Sequence, residues 1–110
     1  MEELVKGDVV VLPFPFSDLS ATKKRPALVV TILEGDDVIL CQITSKARFD
    51  KNSIDLANTD FKQGNLNVES NIRPNKMFTA DKSLIQYKIG SIKDKKLKEV
   101  IDSICDVIKK

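Results

Sequence analysis

The amino-acid sequence predicts a mainly β fold, a small and strongly bent barrel closed by one C-terminal helix. Two observations support this fold class. Short runs rich in β-branched residues alternate with turn residues over most of the chain, and an amphipathic helical pattern follows them at the end. The length of 110 residues predicts one domain, residues 1–110.

The first two predicted strands flank a polar loop. Residues 9–12 form the first strand, and Pro13 and Pro15 are expected to end its pairing because proline has no N–H to donate. The loop covers residues 17–24, and the second strand, 27–33, is entered through Arg25-Pro26.

The remaining strands follow from the same signals. Residues 34–37 form a turn, and the next strand places Ile39, Cys41 and Ile43 on one face because strand side chains alternate. Pro74 is expected at a sheet edge. The predicted strands after the turn are 38–44, 53–56, 71–79 and 87–92, with a turn-rich stretch at 59–67.

The predicted helix has apolar residues at three- and four-residue steps, and Asp94 is placed to cap its start. The apolar positions are Leu97, Val100, Ile101, Ile104, Val107 and Ile108.

Composition excludes several enzyme classes. There is no histidine, which removes imidazole catalysis, and the four glycines form neither a phosphate loop nor a dinucleotide fingerprint. Cys41 and Cys105 lie in apolar runs and are predicted to be buried, reduced thiols. Glu2 and Glu3 stand where a secretory leader would be basic, and no apolar run reaches the ~20 residues of a membrane span, so a cytoplasmic location is expected.

Three segments together resemble the MazF/PemK toxin family. They are Lys6-Gly7-Asp8-Val9-Val10, Lys24-Arg25-Pro26-Ala27-Leu28-Val29 and Gln42-Ile43-Thr44-Ser45, followed in order by Lys76-Met77-Phe78-Thr79-Ala80-Asp81 and Ile89-Gly90-Ser91-Ile92. The similarity runs over essentially the whole chain.

The resemblance implies an SH3-like barrel that dimerises and accepts single-stranded RNA in a groove across the dimer. It implies that Arg25 and Thr44 form the active site of an endoribonuclease that needs no cofactor and no metal. A ribose 2′-hydroxyl would attack the adjacent phosphorus, leaving a cyclic phosphate and a free 5′-hydroxyl. It also implies a cognate antitoxin whose disordered C-terminal segment fills the groove.

Elementary chemistry supports the assignment of Arg25, whose planar guanidinium suits bidentate phosphate binding, and of Thr44 as a hydroxyl donor. Arginine is a poor proton acceptor at neutral pH, so the general base is not identified. Ser45 is a candidate second donor and Asp81 a candidate base. Candidate RNA contacts are Phe16, Ser17, Asp18, Lys23, Lys24, Arg73 and Lys76.

Alternatives remain open at each position. Each of these residues could have a purely structural role. Arg25 could be a surface residue paired with Asp18 or Asp37, Thr44 an ordinary strand residue, and Asp81 a turn or cap residue. At the level of function, the alternatives are a non-catalytic module that binds RNA or a peptide, and a gyrase poison. The second is disfavoured because the chain has no tryptophan and ends Ile108-Lys109-Lys110, unlike the C-terminal Trp-Gly-Ile of such poisons.

Overall fold

The computed structural model describes residues 3–15, 22–45 and 50–110 of the protein. Within these residues, seven strands form one curled antiparallel sheet, a half-barrel, and a C-terminal helix packs against it. The prediction of a mainly β fold with a C-terminal helix is confirmed. The elements are β1 (Asp8–Pro15), β2 (Thr22–Ile32), β3 (Asp37–Ser45), β4 (Ile54–Leu56), β5 (Phe61–Gly64), β6 (Ser70–Asp81), β7 (Tyr87–Ile92) and α1 (Asp94–Ile108), with short 3-10 helices at Asn58–Asp60 and Lys82–Leu84.

The order of strands across the sheet is β4-β6-β3-β2-β1-β7-β5. The hairpin of β2 and β3 therefore lies near the middle, with β6 on one side and β1 on the other. Gly35 has a φ of 80° in the turn of this hairpin, a conformation that glycine adopts without the steric cost of a Cβ. The predicted turn at 34–37 and the last strand at 87–92 are confirmed.

The two faces of the sheet bury separate apolar clusters. The helix-side core includes Leu28, Cys41 and Ile43 and is covered by Val100 and Ile104 of α1. Ile39 packs against the same cluster, which confirms the predicted face of β3. The opposite face, called here the site face, buries the far-side core, whose members include Val10, Leu12, Ala27, Val29 and Leu40.

The two prolines of β1 do not end its pairing, contrary to the prediction. Pro13 pairs with Lys24 and Pro15 with Thr22, so β2 begins at Thr22 and the two lysines before Arg25 lie in a strand. On its other side β1 pairs with β7 only as far as Val11. Both prolines therefore stand where one edge of β1 has no strand partner among the described residues, and a missing N–H costs no ladder hydrogen bond to them.

Pro74 lies inside a longer strand than predicted. β6 runs from Ser70 to Asp81, and its register against β3 shifts between the pairs Gln42–Arg73 and Cys41–Met77. Pro74 falls in this bulge. β4 pairs with β6 only at residues 70–72, so Pro74 also lies beyond the end of β4, in agreement with the predicted edge position.

The helix α1 buries Val100 and Ile104, whereas Cys105 is exposed. The prediction that both cysteines are buried is therefore wrong for Cys105. Consecutive helix residues point about 100° apart, so the residue after the buried Ile104 turns away from the sheet. Asp94 is the first helical residue, and Lys93 occupies the cap position without a side-chain hydrogen bond, so the predicted cap is also wrong.

Asp8 is a fully buried carboxylate at the start of β1. Its Oδ2 accepts a hydrogen bond from the Val5 N–H at 2.9 Å, and the Lys88 ammonium of β7 lies 3.3 Å from its Oδ1. The pair joins the N-terminal segment to two adjacent strands. Within the described residues, no helix is long and apolar enough to cross a membrane.

Candidate functional site

Arg25 and Thr44 lie on neighbouring strands in the middle of the sheet. β2 and β3 pair with Ala27 opposite Gln42, and continuing this register by two residues places Arg25 opposite Thr44. Residues at facing positions of neighbouring antiparallel strands point to the same face of the sheet. Alternation along both strands puts this pair on the site face, with Ala27 and Val29. The two side chains therefore project from adjacent backbone positions towards one region.

Thr44 and its neighbour on β6 are buried polar residues. Thr44 is 8% exposed and pairs with Asn71, which is 1% exposed. On the other side of β6, Asp55 of β4 pairs with Asn71. The polar row, defined as Arg25, Thr44, Asn71 and Asp55, thus crosses four strands on one face. At about 4.8 Å per strand, Asp55 is roughly 10 Å from Thr44, beyond direct hydrogen-bond reach of a phosphate on Thr44.

A second row runs parallel to the first, two residues further along the strands. It consists of Ala27, Gln42 and Arg73 on β2, β3 and β6. Arg73 Nη2 donates a hydrogen bond of 2.7 Å to Asp50 Oδ2. This guanidinium lowers the pKa of the Asp50 carboxyl from 3.8 to about 2, helped by the Asn52 N–H, so Asp50 is an anion at neutral pH.

An apolar pocket of about 490 Å³ opens beside the two rows. Leu12, the β1 residue paired with Arg25, and Gln42 of the second row both line it. Phe14 and Phe78 form an edge-to-face pair in its wall, with ring centroids 4.8 Å apart and an interplanar angle of 72°. Two flat aromatic faces beside a guanidinium and a hydroxyl suit a ligand with both a planar ring and an anionic group.

The predicted lysines divide between the two faces. Lys23 pairs with Phe14 and shares the face of Arg25 by alternation, whereas Lys24, paired with Pro13, belongs to the opposite face. Lys76 lines the pocket. Ser45 directly follows Thr44 and shares the face of Ile43, so the structure does not bring its side chain to Arg25.

The structure does not bring Asp81 to Arg25 and Thr44 either. Asp81 pairs with Asp37 at the opposite end of β3, seven residues and roughly 20 Å from Thr44. Its carboxylate accepts a hydrogen bond from the Ser83 N–H at 2.9 Å and caps the 3-10 helix that follows. The interpretation of Asp81 as a cap residue therefore describes this chain, and its assignment as a general base stays a sequence prediction that this position does not support.

Three predicted RNA contacts, Phe16, Ser17 and Asp18, lie outside the described residues. Sequence reasoning missed Asn71, Gln42 and Asp50. The signal for Asn71 was available, because a polar residue inside a predicted strand often marks a buried hydrogen-bonding position. Asp50 carried no comparable signal, since its partner Arg73 is 23 residues away.

The arrangement can bind and stabilise an anion. The cationic side chains on the site face are Arg25, Lys23 and Arg73. They stand near Thr44, a residue that is only 8% exposed, and hydrogen bonds to developing charge are strong where water is largely excluded. No group of three or more acidic or cysteine side chains with the geometry of a metal site occurs among residues 3–15, 22–45 and 50–110.

Comparison with family models gives a match over residues 5–108, to the family described as PemK-like, MazF-like toxin of type II toxin-antitoxin system. No curated protein matches the chain in sequence.

Solved structures share the fold. An endoribonuclease from a mycobacterial species, solved in complex with its cognate antitoxin, superposes with a TM-score of 0.76 at 12% identity, over 97% of this chain and 96% of that one. MazF in a MazE-MazF complex from Deinococcus radiodurans gives 0.73 at 17% identity, over 98% and 97%. The Mycobacterium tuberculosis toxin MazF-mt6 gives 0.67 at 16% identity, over 91% and 96%.

Proposed function

Because the chain belongs to the PemK-like, MazF-like toxins of type II toxin-antitoxin systems, we propose that it is an endoribonuclease that cuts single-stranded RNA at the polar row. The whole chain, residues 1–110, acts as one toxin domain. The observation that carries the proposal is the β2–β3 register, which ends at Ala27 opposite Gln42 and, extended by two residues along each strand, brings Arg25 and Thr44 to one face of the sheet. The solved relatives described as endoribonucleases share this fold.

The chemistry assigns one task to each side chain of the pair. Arg25 binds the scissile phosphate through its guanidinium and offsets the negative charge that builds on the phosphorus oxygens. Thr44 donates its hydroxyl to the same phosphate from an almost fully buried position. The ribose 2′-hydroxyl then attacks the phosphorus, the bond to the 5′-oxygen breaks, and the products carry a 2′,3′-cyclic phosphate and a 5′-hydroxyl. The nucleophile belongs to the substrate, so the reaction needs no metal-bound water.

The apolar pocket holds a nucleotide next to the cleaved bond. Phe14 and Phe78 present ring faces and edges on which a base stacks, which is the usual way in which proteins bind unpaired bases. Lys23 and Lys76 are placed to contact the flanking backbone without reading its sequence. Stacking and phosphate binding therefore act on adjacent parts of one nucleotide.

A cognate antitoxin is the protein partner. Solved relatives are complexes of a toxin with its antitoxin. We expect a disordered C-terminal segment of the antitoxin to enter the apolar pocket and to place carboxylates on Arg25 or Arg73, since both groups bind carboxylate and phosphate alike. Such a segment excludes RNA by occupying the same surface.

The chain acts as a homodimer in the cytoplasm. Large apolar side chains that do not line the pocket are exposed, among them Val68 at 64% and Tyr87 of β7 at 51%. Burial of such side chains in an interface removes apolar area from water. Light scattering at micromolar concentration is expected to give twice the 12.3 kDa chain mass, and a monomer would count against a shared groove.

The test of the activity is cleavage of a random-sequence RNA in EDTA. We expect products with 5′-hydroxyl and 2′,3′-cyclic phosphate ends. The cleavage rate should fall at least about 100-fold in Arg25→Ala, which is the loss typical for one transition-state donor. Lys24→Ala, which removes a positive charge from the adjacent position on the other face, is the matched control and should retain activity. Intact RNA across the pool, with tight RNA binding retained, would favour the non-catalytic binding module.

A further inference from the structure

An ion pair stands at the end of the second polar row, beside the candidate site. Arg73 is opposite Gln42, and Gln42 is two residues from Thr44 on the same strand and face. The Arg73 side chain is 20% exposed and that of its partner Asp50 is 32% exposed. The pair is therefore accessible from the surface on which the RNA is proposed to lie.

The Asp50 contact uses one nitrogen of the Arg73 fork. Nη2 donates to the carboxylate at 2.7 Å, while the buried Nε has no hydrogen-bond acceptor among the residues that the structure describes. A carboxylate and a phosphate present similar pairs of oxygens to a guanidinium, and both bind it best through two parallel hydrogen bonds. The Asp50 carboxylate thus lies where a phosphate would bind Arg73. It accepts one hydrogen bond from the guanidinium, whereas a phosphate at the same place can accept two.

The other oxygen of Asp50 is engaged by its own turn. Oδ1 accepts hydrogen bonds from the Asn52 N–H at 2.9 Å and from the Ser53 hydroxyl at 3.3 Å, and the Asp50 N–H donates to the Ser53 Oγ at 3.0 Å. The turn therefore has hydrogen bonds that do not depend on Arg73. Release of Oδ2 from the guanidinium leaves these bonds in place, so the contact can open without unfolding the segment.

We propose that Asp50 is an internal phosphate mimic, which holds Arg73 in the RNA-free protein and must be displaced by a substrate phosphate for tight binding. Arg73 is then a second phosphate-binding residue, about two strands from Arg25, that positions the nucleotide flanking the cleaved one. Asp50 weakens RNA binding by competition and takes no part in bond cleavage. The inference rests on the proposed function, because it assigns RNA as the competitor.

The test measures binding of a random-sequence 2′-O-methyl RNA, which the chain cannot cleave, by fluorescence anisotropy. Asp50→Asn keeps an oxygen for the Asn52 N–H and removes the charge. We expect it to tighten Kd about fivefold, the upper end for a partly exposed ion pair. The slope of log Kd against log salt should be shallower by about 0.7 in Arg73→Ala, which corresponds to the loss of one phosphate contact on a single strand. Asp50→Ser repeats the measurement in case asparagine disturbs the turn, and thermal melting confirms that each variant is folded.

The matched control is Asp102→Asn, which removes the same charge from a lysine–aspartate contact of 2.8 Å on the exposed face of α1. It should change Kd by less than twofold. In an Arg73→Ala background, Asp50→Asn should no longer tighten binding. Equal effects of Asp50→Asn and Asp102→Asn, or a gain that persists without Arg73, overturn the inference.

Cleavage by the native chain is scored separately, so that the two proposals fail in different ways. RNA cleavage without tighter binding by Asp50→Asn overturns the phosphate-mimic role alone. Tighter binding through Arg73 with no cleavage by the native chain supports the mimic and overturns the nuclease assignment.

Discussion

Replacement of Thr44 by valine removes the hydroxyl and keeps the shape of the side chain. Thr44 is 8% exposed, so water cannot easily take the place of the lost donor. One hydrogen bond to developing charge in a water-excluded site is worth about 2.7–4 kcal/mol of transition-state stabilisation, or roughly 10²–10³ in kcat. We therefore expect Thr44→Val to lower kcat at least about 100-fold, with KM changed much less, and Thr44→Ser to recover most of the loss.

The assay is steady-state cleavage of a fluorogenic RNA that contains the mapped cleavage site. Ser45→Ala is the matched control, because it removes the next hydroxyl along the chain from the opposite face of β3, and its kcat should stay within about twofold of the native value. Thermal melting separates catalytic from folding effects. A Thr44→Val enzyme with native kcat would refute the claim that this hydroxyl contacts the reacting phosphate.

Three further measurements test the structure itself. In urea titrations, Gly90→Ala should lower the free energy of unfolding by more than Gly35→Ala. A Cβ at Gly90 would lie 2.2 Å from a backbone oxygen of β5, whereas nothing lies within 4 Å of a Cβ at Gly35, where only the positive φ opposes alanine, at about 1–2 kcal/mol. The reverse order would contradict the close approach of β5 and β7. Burial raises the pKa of the Cys41 thiol to about 12, whereas Cys105 is exposed. Iodoacetamide at pH 8 should therefore modify only Cys105 in the native protein and both thiols after unfolding, as measured by mass spectrometry. Modification of both thiols at equal rates in the native protein would contradict the burial of Cys41. The pKa of Asp50 is lowered from 3.8 to about 2, so its ionised form stabilises the fold fully above pH about 4 and progressively less towards pH 2. The difference in Tm between the native chain and Asp50→Asn should therefore shrink as the pH falls from about 4 to 2. A constant difference would show that the charge of Asp50 does not cause the stabilisation.

The sequence predicts the strands and the helix where local pattern determines them. β7 and the turn before β3 were expected from β-branched runs and turn residues, and the buried face of α1 from its apolar spacing. The prolines of β1 show where local pattern is insufficient. Whether a proline interrupts a ladder depends on which edge of the strand has a neighbour. For β1 this is decided by the position where β7 begins, Tyr87, which is more than 70 residues away in the sequence.

The candidate site shows the same division. Arg25 and Thr44 stand in short motifs on consecutive strands, and hairpin pairing is local, so their proximity could be expected from the sequence. The distance of Asp81 from Arg25 and Thr44 could not be predicted, because it depends on the register and the bulge of β6 against β3. The contact between Asp50 and Arg73 joins a turn to a distant strand, and no local signal marks it.

A double-mutant cycle tests most directly whether Arg25 and Thr44 act on one phosphate. kcat/KM is measured for the native chain, Arg25→Ala, Thr44→Val and the double variant on the same RNA in EDTA. If both side chains stabilise the same phosphoryl group, the double variant should lose no more than about tenfold beyond the worse single variant, since residues that act as a unit are not additive. If the two losses in kcat/KM instead multiply, to roughly 10⁴-fold or more in the double variant, the two residues act independently. That result would contradict the shared site.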